Sequence, residues 1–140
     1  MAPYEPVTQE ILAQLEAIAP GRVTAGEDVN PDYGRDEMPI YGVHMPEAAV
    51  EVLSTEEAAA VVKLCYDHNI PVTTRGAGTG LVGGCVPLYG GVVLVTTRMN
   101  RILDYDLENF TVTVQPGVLL NTLAEDASSK GLLYPPDPGE

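Results

Sequence analysis

Thr74-Arg75-Gly76-Ala77-Gly78-Thr79-Gly80-Leu81-Val82-Gly83-Gly84 is the stretch on which the fold turns. Its glycines let the backbone take positive φ and let a ligand come close to the main chain. Successive N–H groups exposed in this way form a nest with partial positive charge, suited to a pyrophosphate. Arg75 is the one cation inside the loop. Gly78-x-Gly80-x-x-Gly83 matches the dinucleotide motif of Rossmann folds, and Asp104 stands near the distance of a ribose-binding acid. That motif works only where its third glycine opens a helix whose N-terminus faces the phosphates. Gly84-Cys85-Val86-Pro87-Leu88-Tyr89-Gly90-Gly91 is a poor helix, which argues against a Rossmann site. A P-loop is excluded because no Gly-Lys-Ser or Gly-Lys-Thr follows. The competing reading is a loop that merely turns between two strands.

Both flanks read as strands. Ile70-Pro71-Val72-Thr73 leads in, and Gly91-Val92-Val93-Leu94-Val95-Thr96-Thr97 leads out as an apolar run of the buried kind. Upstream, Ala49-Val50-Glu51-Val52-Leu53 is a further strand, and Ser54 with Glu57 three residues on fits a capping box. The helix that follows should run to about His68 with Ala58, Val61, Val62 and Cys65 inward, and Asn69 should end it. Strand, helix and strand make a β-α-β unit. Ile11, Leu12, Leu15 and Ile18 predict an N-terminal helix. The segment after it, through Asn30-Pro31-Asp32-Tyr33-Gly34, has no period and reads as a surface loop free to drape over another part of the fold.

Downstream, Ile102–Asp106 and Phe110–Gln115 predict a hairpin, which Pro116-Gly117 breaks. Leu119, Leu120, Leu123, Ala124 and Ala127 then give an amphipathic helix, closed by Lys130 and Gly131. The prolines of Tyr134-Pro135-Pro136-Asp137-Pro138 place the last residues in a loop.

Bulk properties narrow the function. With 140 residues, 45% hydrophobic and 19% charged, the chain should bury a core of one domain or part of one. A net charge of -13 argues against nucleic acid and anionic membrane surfaces, which draw affinity from Lys and Arg. No apolar run approaches the length that spans a bilayer and no targeting segment is evident, so a cytoplasmic location is expected. Cys65 and Cys85 form no disulfide framework, and His44 and His68 have no partners at metal-ligand spacing.

Five blocks now stand in order: Pro71 to Leu81, Gly83 to Pro87, Arg98-Met99-Asn100-Arg101-Ile102, Val114-Gln115-Pro116-Gly117-Val118, and Tyr134 to Pro138. The series resembles FAD-linked oxidases of the vanillyl-alcohol oxidase type, and among them the glycolate oxidase D-subunit and D-lactate dehydrogenase branch. The resemblance runs from about Met45 to the last residue. It implies an α+β fold, the N-terminal part of a two-subdomain FAD-binding domain: a β-α-β unit plus hairpin and helix, not Rossmann. Residues 1–44 would be an N-terminal helix and loop, and 45–140 an incomplete FAD-binding domain.

The resemblance further implies that Arg75, Gly76, Ala77, Gly78, Thr79, Gly80 and Leu81 wrap the FAD pyrophosphate, with Pro136 and Asp137 as further cofactor contacts. Relatives that attach FAD covalently through this loop carry histidine where Thr79 stands, so non-covalent FAD is expected. Family members are several times longer, and the chemistry on the hydroxy acid is expected in segments this chain does not carry. No residue here is assigned as catalytic. The chain is expected to be the N-terminal fragment of a 2-hydroxy-acid dehydrogenase or oxidase, inactive alone, binding FAD weakly or not at all, and completed by the missing C-terminal portion. The alternative is a non-catalytic remnant that self-associates through an exposed apolar face.

Overall fold

The computed structural model describes residues 3–135. Helix α1 spans Gln9–Ile18, capped by the Thr8 hydroxyl, which accepts from the Ile11 N–H at 3.3 Å. Strand β1 is Val23–Ala25, β2 is Ala48–Glu51, and helix α2 is Thr55–Asp67. Strands β3, Val72–Arg75, and β4, Val92–Val95, flank the glycine loop. The hairpin is β5, Ile102–Asp106, with β6, Thr111–Val114, and helix α3 is Leu120–Ser129.

Four strands form one sheet in the order β1-β2-β4-β3. β4 lies inside it, parallel to β2 on one side and to β3 on the other, and all four of its residues are buried. Its unbroken apolar run follows from having both faces covered. Val92 and Leu94 join Ala48, Val50, Ile11, Leu15, Val61 and Cys65 on the face covered by α1 and α2. Val93 and Val95 face the other way, against Ala49, Val29 and the ring of Tyr33. The β2-α2-β3 crossover thus steps over one strand position, which β4 occupies.

Three expectations need correction. The stretch after α1 is not wholly a loop: Val23–Ala25 pairs antiparallel with β2, Val23 opposite Val50. A three-residue strand is too short to display alternation, and this one is recognisable only by its partner. In α2 the inward residues are Val61, Leu64 and Cys65, while Val62 is 46% exposed. Val62 sits about 100° round the helix from Val61, whereas Leu64 lies one turn along the same face. In α3 it is Leu123 and Ala127 that are buried, and Leu119 and Leu120 face outward. Helix α2 ends as expected, with Asn69 at φ 54° after the last turn. Cys65 is a free thiol pushed up to about 11 by burial, so it stays protonated.

The hairpin and α3 are tied together by one polar cluster. The Tyr105 hydroxyl donates to Asp126 at 2.7 Å, and Lys130 Nζ donates to the same carboxylate at 2.8 Å while lying 4.8 Å from the Tyr105 ring centroid. None of the described helices is long and apolar enough to cross a membrane.

The Ser54 hydroxyl accepts from the Glu57 N–H at 3.2 Å, but the Glu57 carboxylate reaches back to the Leu53 N–H at 2.8 Å instead of closing on Ser54. It also receives both ends of the Arg22 guanidinium, each at 2.6 Å, and Arg22 donates at 2.8 Å to the Glu51 carbonyl. This fork joins the start of β1 to the start of α2 and the end of β2. The Arg22 hydrogen bonds hold the Glu57 carboxyl below its ordinary range. A carboxylate held low in the fold contributes stability above its unfolded pKa, ~4.3, and loses that contribution as pH falls through the acid range. Glu57→Gln should therefore unfold more easily at pH 7 by about 1–2 kcal/mol, both partners being partly hydrated. Denaturant titrations at pH 7 and pH 3 should show that penalty shrinking in acid. An equal penalty at both pH values would mean the fork contributes nothing through its charge.

Candidate functional site

Adjacent parallel strands cannot be closed by a tight turn, because the chain must return the full length of the strand before starting again. A helix usually makes that return. Between β3 and β4 no helix forms: from Gly76 to Gly91 the chain runs as bends and turns. The helix that a Rossmann site requires after Gly83 is absent, and Val86 N–H instead closes a turn on the Gly83 carbonyl at 3.1 Å. Where the loop enters β4, Gly91 has φ +68° and its α-carbon stands so close to Pro71 that a Cβ would overlap the Pro71 carbonyl.

The amides of the loop are the distinctive feature. Among the described residues, no N–H from Gly76 to Leu81 donates to another protein group. Ala77, Thr79, Gly80 and Leu81 are exposed, and Gly76 and Gly78 are half-buried. Backbone donors in a folded loop are ordinarily paired with protein or water, so a consecutive row open to solvent is free to meet an acceptor from outside the chain. The row starts at the carboxyl ends of the parallel strands, where Thr96 N–H and hydroxyl both reach the Arg75 carbonyl, at 2.9 and 3.3 Å. Ligands of open parallel sheets bind at that end. A hollow of about 290 Å³ opens nearby, beyond the end of β4, lined by Thr97, Asn100, Gly117, Leu119 and Thr122. Sequence reading did not anticipate it, since its walls come from a strand exit, a turn and a helix start.

Arg75 does not reach outward. It is 7% exposed, its Nη1 donates to the Arg35 carbonyl at 2.6 Å and to Cys85 Sγ at 3.4 Å, and its guanidinium carbon lies 5.5 Å from the Tyr33 ring centroid. None of the ion pairs among the described residues includes it. A buried guanidinium without a carboxylate leaves net positive charge directly under the loop, against the backbone of Gly78. Burial pushes the Cys85 thiol above its ordinary value, with Arg75 acting in the opposite sense.

The chain just past Gly34, beyond the stretch expected to drape over another part of the fold, lies on this loop. Besides the Arg35 carbonyl on Arg75, Asp36 Oδ2 accepts from the Gly83 N–H at 2.7 Å and Glu37 N–H donates to the Gly80 carbonyl at 3.2 Å. The Tyr41 ring packs so closely on Gly83 that a Cβ there would lie 2.6 Å from it. Arg35, Asp36, Glu37 and Tyr41 were not among the expected site residues, and no periodicity or motif marks them. Of the expected ones, Arg75 to Leu81 form one continuous surface, whereas Pro136 and Asp137 lie outside the described residues. Among the described residues no group of three or more His, Cys, Asp or Glu side chains is placed to hold a metal ion.

Residues 46–140 match the FAD binding domain family. A D-lactate dehydrogenase of Anaerostipes hadrus is 58% identical over 137 residues, which is 98% of this chain and 29% of that protein. Glycolate oxidase subunit GlcD of Bacillus subtilis (strain 168) is 41% identical over 118 residues, 84% of this chain and 23% of that protein. The chain thus spans less than a third of the length of either relative. Among solved structures, p-cresol methylhydroxylase with substrate bound superposes with a TM-score of 0.77 at 28% identity, covering 89% of this chain and 26% of that one.

Gly78 has φ +83°, and a Cβ there would overlap the Arg75 guanidinium. Gly78→Ala should cost about 1–3 kcal/mol through backbone strain and displacement of Arg75, read as a lower thermal unfolding midpoint. An unchanged midpoint would mean that Arg75 has room to move aside.

Proposed function

This chain belongs to the FAD binding domain family, and on that premise we propose that Gly76 to Leu81 hold the pyrophosphate of FAD in a 2-hydroxy-acid dehydrogenase or oxidase of the D-lactate or glycolate type. One observation carries the reading: an unbroken row of largely exposed amides that have no partner among the described residues, with the Arg75 charge, likewise in no ion pair among them, beneath it. A diphosphate needs several donors and a compensating charge, and a protein of net charge -13 supplies both here from the main chain and one buried guanidinium. The role of Arg75 in this proposal is to set the potential under the loop. The amides of Ala77 to Leu81 make the contacts, and the exposed Thr79 adds a hydroxyl donor. Pro136 and Asp137 keep their place as candidate contacts further along the chain.

When bound, FAD supplies a two-electron acceptor for the hydride on the α-carbon of a hydroxy acid. The base that takes the hydroxyl proton is assigned to no residue of this chain, and the 140 residues by themselves turn over no substrate. The division at residue 45 separates the part that resembles the family from an N-terminal segment that braces it. Thr79 cannot form a histidyl-flavin bond, so the cofactor is held without a covalent link.

A second reading rests on a different observation. Leu103, Leu107, Phe110, Leu119, Leu120 and Leu133 are exposed around the hairpin and α3, with Phe110 at 81% and Leu133 at 85%. Such a face favours association of the chain with itself or with a further segment of polypeptide. Light scattering at rising concentration should reveal oligomers, and a clean monomer throughout would remove this reading.

Titrating the 140-residue chain into FAD should quench flavin fluorescence weakly, because part of a cofactor site offers part of the contacts. Tight, stoichiometric yellow flavin on the purified chain would overturn that expectation. Any flavin carried by a longer protein with this segment should appear in the supernatant after acid precipitation, and flavin retained in the pellet would overturn the non-covalent assignment.

A further inference from the structure

The carboxylate of Asp36 stands where an anion-binding loop would be expected to exclude one. A Cβ on Gly80 would lie only 3.8 Å from its Oδ2, so a negative charge sits at the rim of the surface proposed to take a diphosphate. Electrostatics alone disfavours that placement, by like-charge repulsion. The hydrogen bonds account for it: Oδ2 accepts from the Gly83 N–H at 2.7 Å and Oδ1 accepts from the Met38 N–H at 2.9 Å, so each oxygen ties a different segment. Beside them the Glu37 N–H donates to the Gly80 carbonyl. Gly80 gives up its carbonyl and Gly83 its amide to the strap formed by Arg35 to Tyr41, while the amides from Gly76 to Leu81 bond to none of the described residues. A glycine-rich loop otherwise samples many conformations, and ordering it on binding would reduce affinity.

We infer that Asp36 is a positioning residue for the phosphate loop: it fixes the loop from outside, through Gly83, so that the open amides are arranged before ligand arrives. The inference rests on the flavin reading of the loop. It assigns to the strap a part in cofactor binding that a charge argument would assign with the opposite sign. Removing the charge should loosen the anion site, although electrostatics alone would tighten it.

The test is a titration of the 140-residue chain with inorganic pyrophosphate, followed by amide chemical shifts and hydrogen exchange, for the native sequence and for Asp36→Ala, Asp36→Asn and Asp32→Ala. Asp32 holds Arg35 in an exposed pair on the same strap and serves as the control. In the native chain the amides of Ala77 to Leu81 should shift and the Gly83 amide should exchange slowly. Asp36→Ala should exchange Gly83 freely and weaken the pyrophosphate response by about tenfold, the worth of a charge-assisted hydrogen bond. Asp36→Asn, which keeps one acceptor oxygen, should fall between, and it also serves if the alanine variant does not fold. Asp32→Ala should bind as the native chain does. Equal or tighter binding by Asp36→Asn, with the native loop responding, would overturn the positioning role and leave the flavin reading standing. No response at Ala77 to Leu81 in the native chain would overturn the claim that the open amides are arranged before ligand arrives, and the inference with it.

Discussion

The return path between two neighbouring parallel strands governs this structure. β3 ends at Arg75 and β4 begins beside the start of β3, so the chain must come back across the sheet before it can pair again. With no helix to carry the return, the connecting backbone pairs only some of its own donors, in turns from Gly83 to Gly90, and its first part is held in shape from outside. Two devices do so. Arg75 lies beneath it, held by the Arg35 carbonyl, and the stretch from Arg35 to Tyr41 grips it from the side. The open amides are what is left once those anchors are placed. A loop with open donors is here a by-product of how the sheet is connected, which is why the same motif of glycines has a different setting from the one it has ahead of a helix.

Much of this was legible in the residues. Helix α2 announced itself with Ser54 and Glu57, and β4 with an apolar run that only a doubly covered strand carries. The loop was legible because so many glycines over so short a stretch are costly unless positive φ or close approach is required. What stayed hidden depends on pairing at a distance. Strand β1 has three residues and no pattern of its own, and it exists because Val50 and its neighbours offer an edge. Val62 was assigned inward because an apolar residue next to Val61 looks like core, although one residue of helix rotates it into solvent. Asp36 was invisible for the opposite reason: among twenty acidic residues, nothing local separates the one that holds a loop from those that only carry surface charge.

The two regions differ in how they are held. The four-stranded sheet has apolar layers on both faces, one under α1 and α2 and one under Tyr33. The hairpin with α3 has Leu123 and Ala127 buried and relies on the Tyr105, Asp126 and Lys130 cluster at its seam. A two-stranded hairpin is marginal alone. The leucines and the phenylalanine exposed around it are the surface such an element ordinarily hides.

The contacts between strap and loop bridge 40 residues for Arg75 with Arg35 and 47 for Gly83 with Asp36. Closing such long circuits costs entropy, and the β2–β4 pairing, with Ala48 opposite Val92, closes one of much the same length. The glycine loop thus takes its shape from residues remote in sequence, on circuits about as long as those that close the sheet itself.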